Sequence, residues 1–187
     1  MNHDRPDEPL SAPYGTYWVQ PGRFLAGWIP SDPEPAVREE KLRGLLDVGV
    51  RVVVNLMEAD ERNRQGKPFA DYSADLERLA RAREATVRCL RCPIRDQDVP
   101  TLEAMDEILD HLDRALRRDP VYLHCWGGVG RTGTVVACWL LRHGRADETN
   151  YLKELAKLRR MDQRAGDRKS PENDRQLRFV QEWAARR

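Results

Sequence analysis

Short apolar runs alternate with longer stretches in which apolar residues recur every three or four positions. The run VRVVVNL (50–56) is β-branched and almost wholly apolar, which predicts a short buried strand. GRFLAG (22–27), TVRCLRCPI (86–94) and VYLH (121–124) predict three more strands. Between them, residues 35–49 carry Val37, Leu42, Leu45, Leu46 and Val48 at helical spacing and stop at Gly49. A helix is predicted over 70–84, with Leu76 and Leu79 inward. Another is predicted over 101–117, where Leu102, Met105, Ile108, Leu109, Leu112 and Leu116 share one face. Residues 131–143 read as a buried helix, and two further helices, over 147–160 and 172–185, finish the chain.

This order predicts an α/β fold: a short, largely parallel central sheet flanked by helices. Residues 1–21 are expected to form an N-terminal arm, polar and proline-containing over its first 15 positions, and 22–187 a single domain. The loops 95–100 and 125–131 both leave strands at their carboxyl ends, where sheets of this kind bind ligands, so they can face one crevice.

Composition narrows the function. A chain of 187 residues can bury a sizeable core, and 40% hydrophobic with 34% charged residues describes a globular protein with a charged surface. Lys and Arg total 32 against 31 Asp and Glu, a net charge of +1. Binding nucleic acid or an anionic membrane as the main task calls for a larger positive excess, so neither is expected as a partner and any anion site must be local. There is no apolar run of about 18 residues to enter a membrane. The start, MNHDRPDEPLSAPYG, lacks the apolar stretch of a secretory signal. The expectation is a cytoplasmic chain with reduced cysteines at 89, 92, 125 and 138. Cys89 and Cys92 lie three apart on a predicted strand, pointing to opposite faces, and the histidines at 3, 111, 124 and 143 lack ligand spacing. No metal and no cofactor is predicted.

The chemistry stands in HCWGGVGRTG (124–133), between a predicted strand end and a helix start. Gly128, Gly130 and Gly133 fit a dinucleotide fingerprint, but residues 134–187 hold no following strand with an acidic end. A Walker loop fails because Thr134 and Val135 follow where Lys and Ser/Thr are required. Cys125 and Arg131, with five residues between them, give the third reading. Such a loop can curl its N–H groups toward one centre, and its glycines permit the backbone angles. It feeds a helix N-terminus, which favours an anion. Arg131 adds a planar fork that matches two phosphate oxygens. Cys125 lies at the base of this cradle, in a positive field that favours the thiolate.

These residues resemble a known family. His124-Cys125-x5-Arg131-Thr132 is similar to the active-site loop of cysteine-dependent protein tyrosine phosphatases, H-C-x-x-G-x-x-R-[S/T], with Gly128 also matched. CPIRDQDVPT (92–101) resembles the general-acid loop of the small, atypical dual-specificity branch, the layout of kinase-associated phosphatase. The resemblance covers roughly residues 22–145. It implies that Cys125 attacks phosphorus and that the amides of Trp126, Gly127, Gly128, Val129, Gly130 and Arg131, with the Arg131 side chain, hold the phosphate oxygens. His124 would orient the loop, and Thr132 would donate to the sulfur. Asp96, four residues before Pro100, matches the general acid. Asp98 is the alternative, although it could instead cap the helix beginning near Thr101. The Trp126 ring is read as packing beside the loop. Arg164, Arg168 and Lys169 in MDQRAGDRKSP (161–171) are read as a solvated loop, with a basic rim as the alternative.

Phosphatases of inositol phosphates commonly carry lysines inside this loop; here the five residues are Trp, Gly, Gly, Val and Gly. A singly phosphorylated protein or peptide is therefore the expected substrate, phosphotyrosine first and phosphoserine or phosphothreonine beside it. The alternatives are a phosphorylated small molecule, an inositol lipid, or a phosphopeptide-binding module without turnover. A monomer is expected.

Overall fold

A computed structural model describes residues 11–186. Five strands form one sheet: β1 (Thr16–Gln20), β2 (Phe24–Gly27), β3 (Val52–Asn55), β4 (Arg88–Arg91) and β5 (Val121–His124), in the order β1-β2-β5-β3-β4. Every pairing is parallel except β1 with β2. The α/β expectation holds, and the sheet is the short, mostly parallel one the apolar runs predicted.

One boundary moves. The expected arm, 1–21, contains β1, and Thr16, Tyr17, Trp18 and Val19 are all buried. Gly22, at φ +67°, turns the chain so that TYWVQ pairs antiparallel with FLAG. Aromatic and β-branched residues suit this pleated, buried surface, and that overrides the polar appearance of the preceding stretch. Residues 1–10 of the arm lie outside the described residues.

Six helices surround the sheet: α1 (Pro35–Asp47), α2 (Ser73–Arg81), α3 (Leu102–Leu116), α4 (Gly130–Arg142), α5 (Tyr151–Arg159) and α6 (Asp174–Ala184). α1 packs on α2; α4 packs against α3, α5 and α6; α5 also meets β1. The α3 face is buried at Met105, Ile108, Leu109 and Leu112, as its spacing predicts, while Leu102 and Leu116 are half-buried at its ends. Val37 departs from the α1 pattern and is exposed. α4 is buried all round from Gly130 to Leu140. Each buried Val or Leu on it contributes roughly 1.5–3 kcal/mol of transfer free energy, so its N-terminus is a fixed point.

The register sets the site. His124, the last residue of β5, is level with Gly27 of β2 and Asn55 of β3. The loops after β2, β3, β4 and β5 therefore all emerge at one edge.

Candidate active site

The loop from Cys125 to Val129 joins β5 to α4, whose first turn begins at Gly130. Gly128 sits at φ +69°, and a Cβ there would come within 2.5 Å of the Gly27 carbonyl carbon and 2.7 Å of the Trp28 nitrogen. Only glycine lets the loop close onto the end of β2. The Ile29 amide donates to the Trp126 carbonyl at 3.1 Å, and the Ser170 hydroxyl to the Val129 carbonyl at 2.7 Å. These two bonds fix the loop where it runs into the N-terminus of α4, an end that favours an anion.

His124 is wholly buried, and burial pushes its pKa down to about 3. The imidazole is therefore neutral, with one N–H. Its Nδ1 lies 3.1 Å from the Cys125 carbonyl, which can only accept, so Nδ1 carries the proton. Nε2 then accepts from the Tyr72 hydroxyl at 2.5 Å, and burial holds that phenol protonated well above its ordinary range. His124 thus fixes the backbone of Cys125. Thr132 is buried, and its hydroxyl has no hydrogen-bond partner among the described residues.

Arg131 is 2% exposed and both of its terminal nitrogens are engaged. Nη1 donates to Glu61 Oε2 at 2.6 Å and to the Ile94 carbonyl at 3.0 Å; Nη2 donates to Glu61 Oε1 at 2.8 Å. Asp96 Oδ1 lies 2.9 Å from Nη2. Burial opposes the charge, but the Glu61 hydrogen bonds and the neighbouring Cys125, Glu61 and Asp96 charges outweigh it and hold the Arg131 pKa raised. Glu61 is nearly buried, whereas Asp96 is 43% exposed. The two carboxylates are therefore unequal: Glu61 is a fixed support, and Asp96 is a partner that water or an anion can displace.

Cys125, Arg131 and Asp96 line one cavity of about 440 Å³, with Trp126, Gly127 and Gly130. The Trp126 ring meets Phe69 edge-on at 5.3 Å, the packing role expected of it, while the residue itself lines the cavity. Asp98 does not line the cavity. Its Oδ1 accepts from the Val99 amide at 2.7 Å and pairs with Arg175 at 2.9 Å. Nor does it cap α3: the Thr101 hydroxyl does so, accepting from the Ala104 amide at 3.1 Å. A larger groove, about 1140 Å³, lies along α1 beyond Trp28 and includes no residue of the cysteine loop.

The sequence reading missed three groups here. Glu61 lies in the charged stretch EADERNRQGKP (58–68), between the predicted strand 50–56 and the predicted helix 70–84, and Gln176 lies in the predicted helix 172–185. Gln176 is buried, and its amide group would lie about 3 Å from a Cβ on Gly130; it also donates to the Asp98 carbonyl at 3.4 Å. Arg164 and Arg168 line the cavity, so the solvated-loop reading of these two is replaced by the basic rim; Lys169 is not on this wall and lies 3.7 Å from Asp174.

Comparison with known proteins gives the family and the fold. The family model for "Polymorphic toxin system, DSP-PTPase phosphatase" matches residues 32–145. An uncharacterized protein of Methanocaldococcus jannaschii is 39% identical over 66 residues, 35% of this chain and 42% of that protein. The match thus spans less than half of that relative's length. Among solved structures, Tk-PTP in its active form superposes with TM-score 0.68 and 24% identity, covering 92% of this chain and 98% of that one. PTPMT1 in complex with PI(5)P gives 0.66 and 20%, covering 92% and 96%. Kinase-associated phosphatase, with serine replacing its catalytic-site cysteine, gives 0.65 and 17%, covering 96% and 97%. These likenesses establish the fold.

Proposed function

Because the chain belongs to the DSP-PTPase phosphatase family of polymorphic toxin systems, we propose that it hydrolyses phosphate monoesters on proteins, phosphotyrosine first, through a cysteinyl-phosphate. One observation carries this reading: Cys125, the Arg131 fork and the Asp96 carboxyl share one cavity over the α4 N-terminus.

The incoming phosphate displaces Asp96 from Arg131, and a phosphate oxygen takes the place Asp96 Oδ1 now holds. Once freed, the Asp96 carboxylate takes up a proton from solvent, and the resulting acid faces the leaving oxygen. The Cys125 thiolate attacks phosphorus; the S–P bond forms and the ester P–O bond breaks, with the Asp96 proton going to the departing oxygen. In the second step Asp96, now a carboxylate, takes a proton from water. The water oxygen bonds to phosphorus, the S–P bond breaks, and inorganic phosphate leaves with the thiolate restored. The loop amides and Arg131 hold the equatorial oxygens throughout. His124 keeps the Cys125 backbone in place, and the free Thr132 hydroxyl is available to the sulfur as it leaves.

The absence of lysine inside the loop supports a protein substrate over a polyphosphorylated inositol. All four cysteines are free, which fits a reducing, cytoplasmic setting. The second reading is an inositol phospholipid of the kind PTPMT1 holds in its complex. Turnover on a panel of phosphotyrosyl and phosphoseryl peptides and phosphoinositides decides between them. The proposal expects the highest kcat/KM on phosphotyrosyl peptides; a higher value on an inositol lipid overturns it.

A further inference from the structure

Apart from Arg131 and Asp96, the charged side chains on the cavity wall are four arginines and one glutamate: Arg62, Arg64, Arg164, Arg168 and Glu172. The whole chain carries a net charge of only +1. The positive excess that composition hides is thus gathered on one wall, beside a cradle whose own arginine is already neutralised by Glu61.

The segment bearing two of these arginines is built. Arg159, buried, sends Nη1 to the Arg168 carbonyl at 2.6 Å and Nη2 to the Ala165 carbonyl at 2.7 Å. Asp162, also buried, accepts from the amides of Arg164 at 2.9 Å and Ala165 at 3.1 Å. Two buried charges are spent on the backbone of a single loop, which fixes where its side chains emerge. Arg164 lies over the Trp28 ring at 4.4 Å, donates to the Gly127 carbonyl, and keeps a buried Nε with no hydrogen-bond partner among the described residues. Among the described residues the Arg168 side chain pairs with Glu172, in an exposed pair of the kind worth little. Of the other two arginines lining the cavity, Arg64 has no ion pair among the described residues, while Arg62 donates to the Gly66 carbonyl at 2.9 Å.

We infer that this wall is a second anion subsite: it holds a phosphate or carboxylate carried by the substrate next to the phosphate being hydrolysed. Arg164 is its fixed floor, and the side chains of Arg64 and Arg168 close on the anion. On the phosphotyrosine reading, on which this inference rests, the preferred sites carry an acidic or second phosphorylated residue beside the tyrosine. The uncharged cysteine loop and the charged wall then have separate tasks, the first gripping one phosphate and the second choosing its neighbour.

The test measures kcat/KM of the full chain on matched phosphotyrosyl peptides with a neutral, a glutamate or a second phosphorylated neighbour, and on an inositol bisphosphate against a monophosphate. A second anion should raise kcat/KM roughly tenfold at low salt, chiefly through KM, and the gain should shrink as salt rises. In the Arg64→Ala/Arg168→Ala variant the ratio of anionic to neutral peptide should fall to about one, and Arg168→Lys should restore part of it. The salt titration of the unaltered protein stands whether or not the variant folds. Equal rates on all peptides, or a gain untouched by the substitutions and by salt, overturn the subsite. If peptides are not turned over but the bisphosphate is preferred with the same arginine dependence, the protein-substrate reading falls and the subsite stands.

Discussion

Two kinds of loop meet at the carboxyl edge of the sheet. The cysteine loop is short and glycine-rich, closes onto the backbone of Gly27 and Trp28, and is held by the Ile29 amide and the Ser170 hydroxyl. The flanking loops, 58–68 and 160–170, are longer and charged, and they supply Glu61, Arg164 and Arg168 from far along the chain. The cradle must be contiguous, because one ring of amides, one cysteine and one helix N-terminus make a single anion site. The Asp96 carboxyl and the charges that support the cradle need only reach the same edge, from any segment. The cradle is therefore local in the sequence and the groups around it are not.

The sharpest way to probe this division is the acid. Asp96→Asn should lower kcat by roughly 10²–10⁴ on alkyl phosphates and far less on an activated aryl phosphate, whose leaving group barely needs a proton. If Asp98→Asn shows that leaving-group dependence and Asp96→Asn does not, the exposed partner of Arg131 has been misassigned.

The buried side of the comparison is tested through pH. Folded His124 takes up a proton only near pH 3, whereas unfolded it does so near 6.5. Between those values the unfolded chain binds more protons, so His124 contributes stability that is present above pH 6.5 and lost as pH falls toward 3. The full loss is on the order of 5 kcal/mol. Urea unfolding from pH 7 to 4 should therefore show a shallower decline in His124→Asn than in the unaltered chain; parallel declines would mean that the imidazole is not held neutral.

Glu61→Gln leaves Arg131 buried with only an exposed acid beside it, which should cost roughly 3 kcal/mol in unfolding experiments and lower kcat as well. A change within about 0.5 kcal/mol, ordinary for a solvated loop, would return 58–68 to that status. Smallest of all, Asp98→Asn should cost about 1 kcal/mol or less, since it breaks one pair with the exposed Arg175 and one local amide contact.

The apolar runs revealed four of the five strands and all six helices, because burial imposes a period on the residues that face the core. β1 escaped because Thr16–Gln20 follows a proline-containing polar stretch and only its pairing with β2 shows its place. The Cys125–Arg131 spacing was legible, as was the Asp96 loop, since both are contiguous motifs. The choice of Glu61 over Glu58 or Asp60 was not, because it depends on how the loop after β3 folds back over Arg131. The same holds for Arg164 and Arg168, whose direction is set by the buried Arg159 and Asp162, residues with no periodic signature.

The central claim is that phosphorus passes through Cys125. Turnover of a phosphotyrosyl peptide, quenched in acid and digested, should yield the Cys125 peptide heavier by one phosphoryl group. The Cys125→Ser variant should show neither that adduct nor turnover. A phosphoryl group on another residue, or a serine variant that still turns over substrate, would contradict the account.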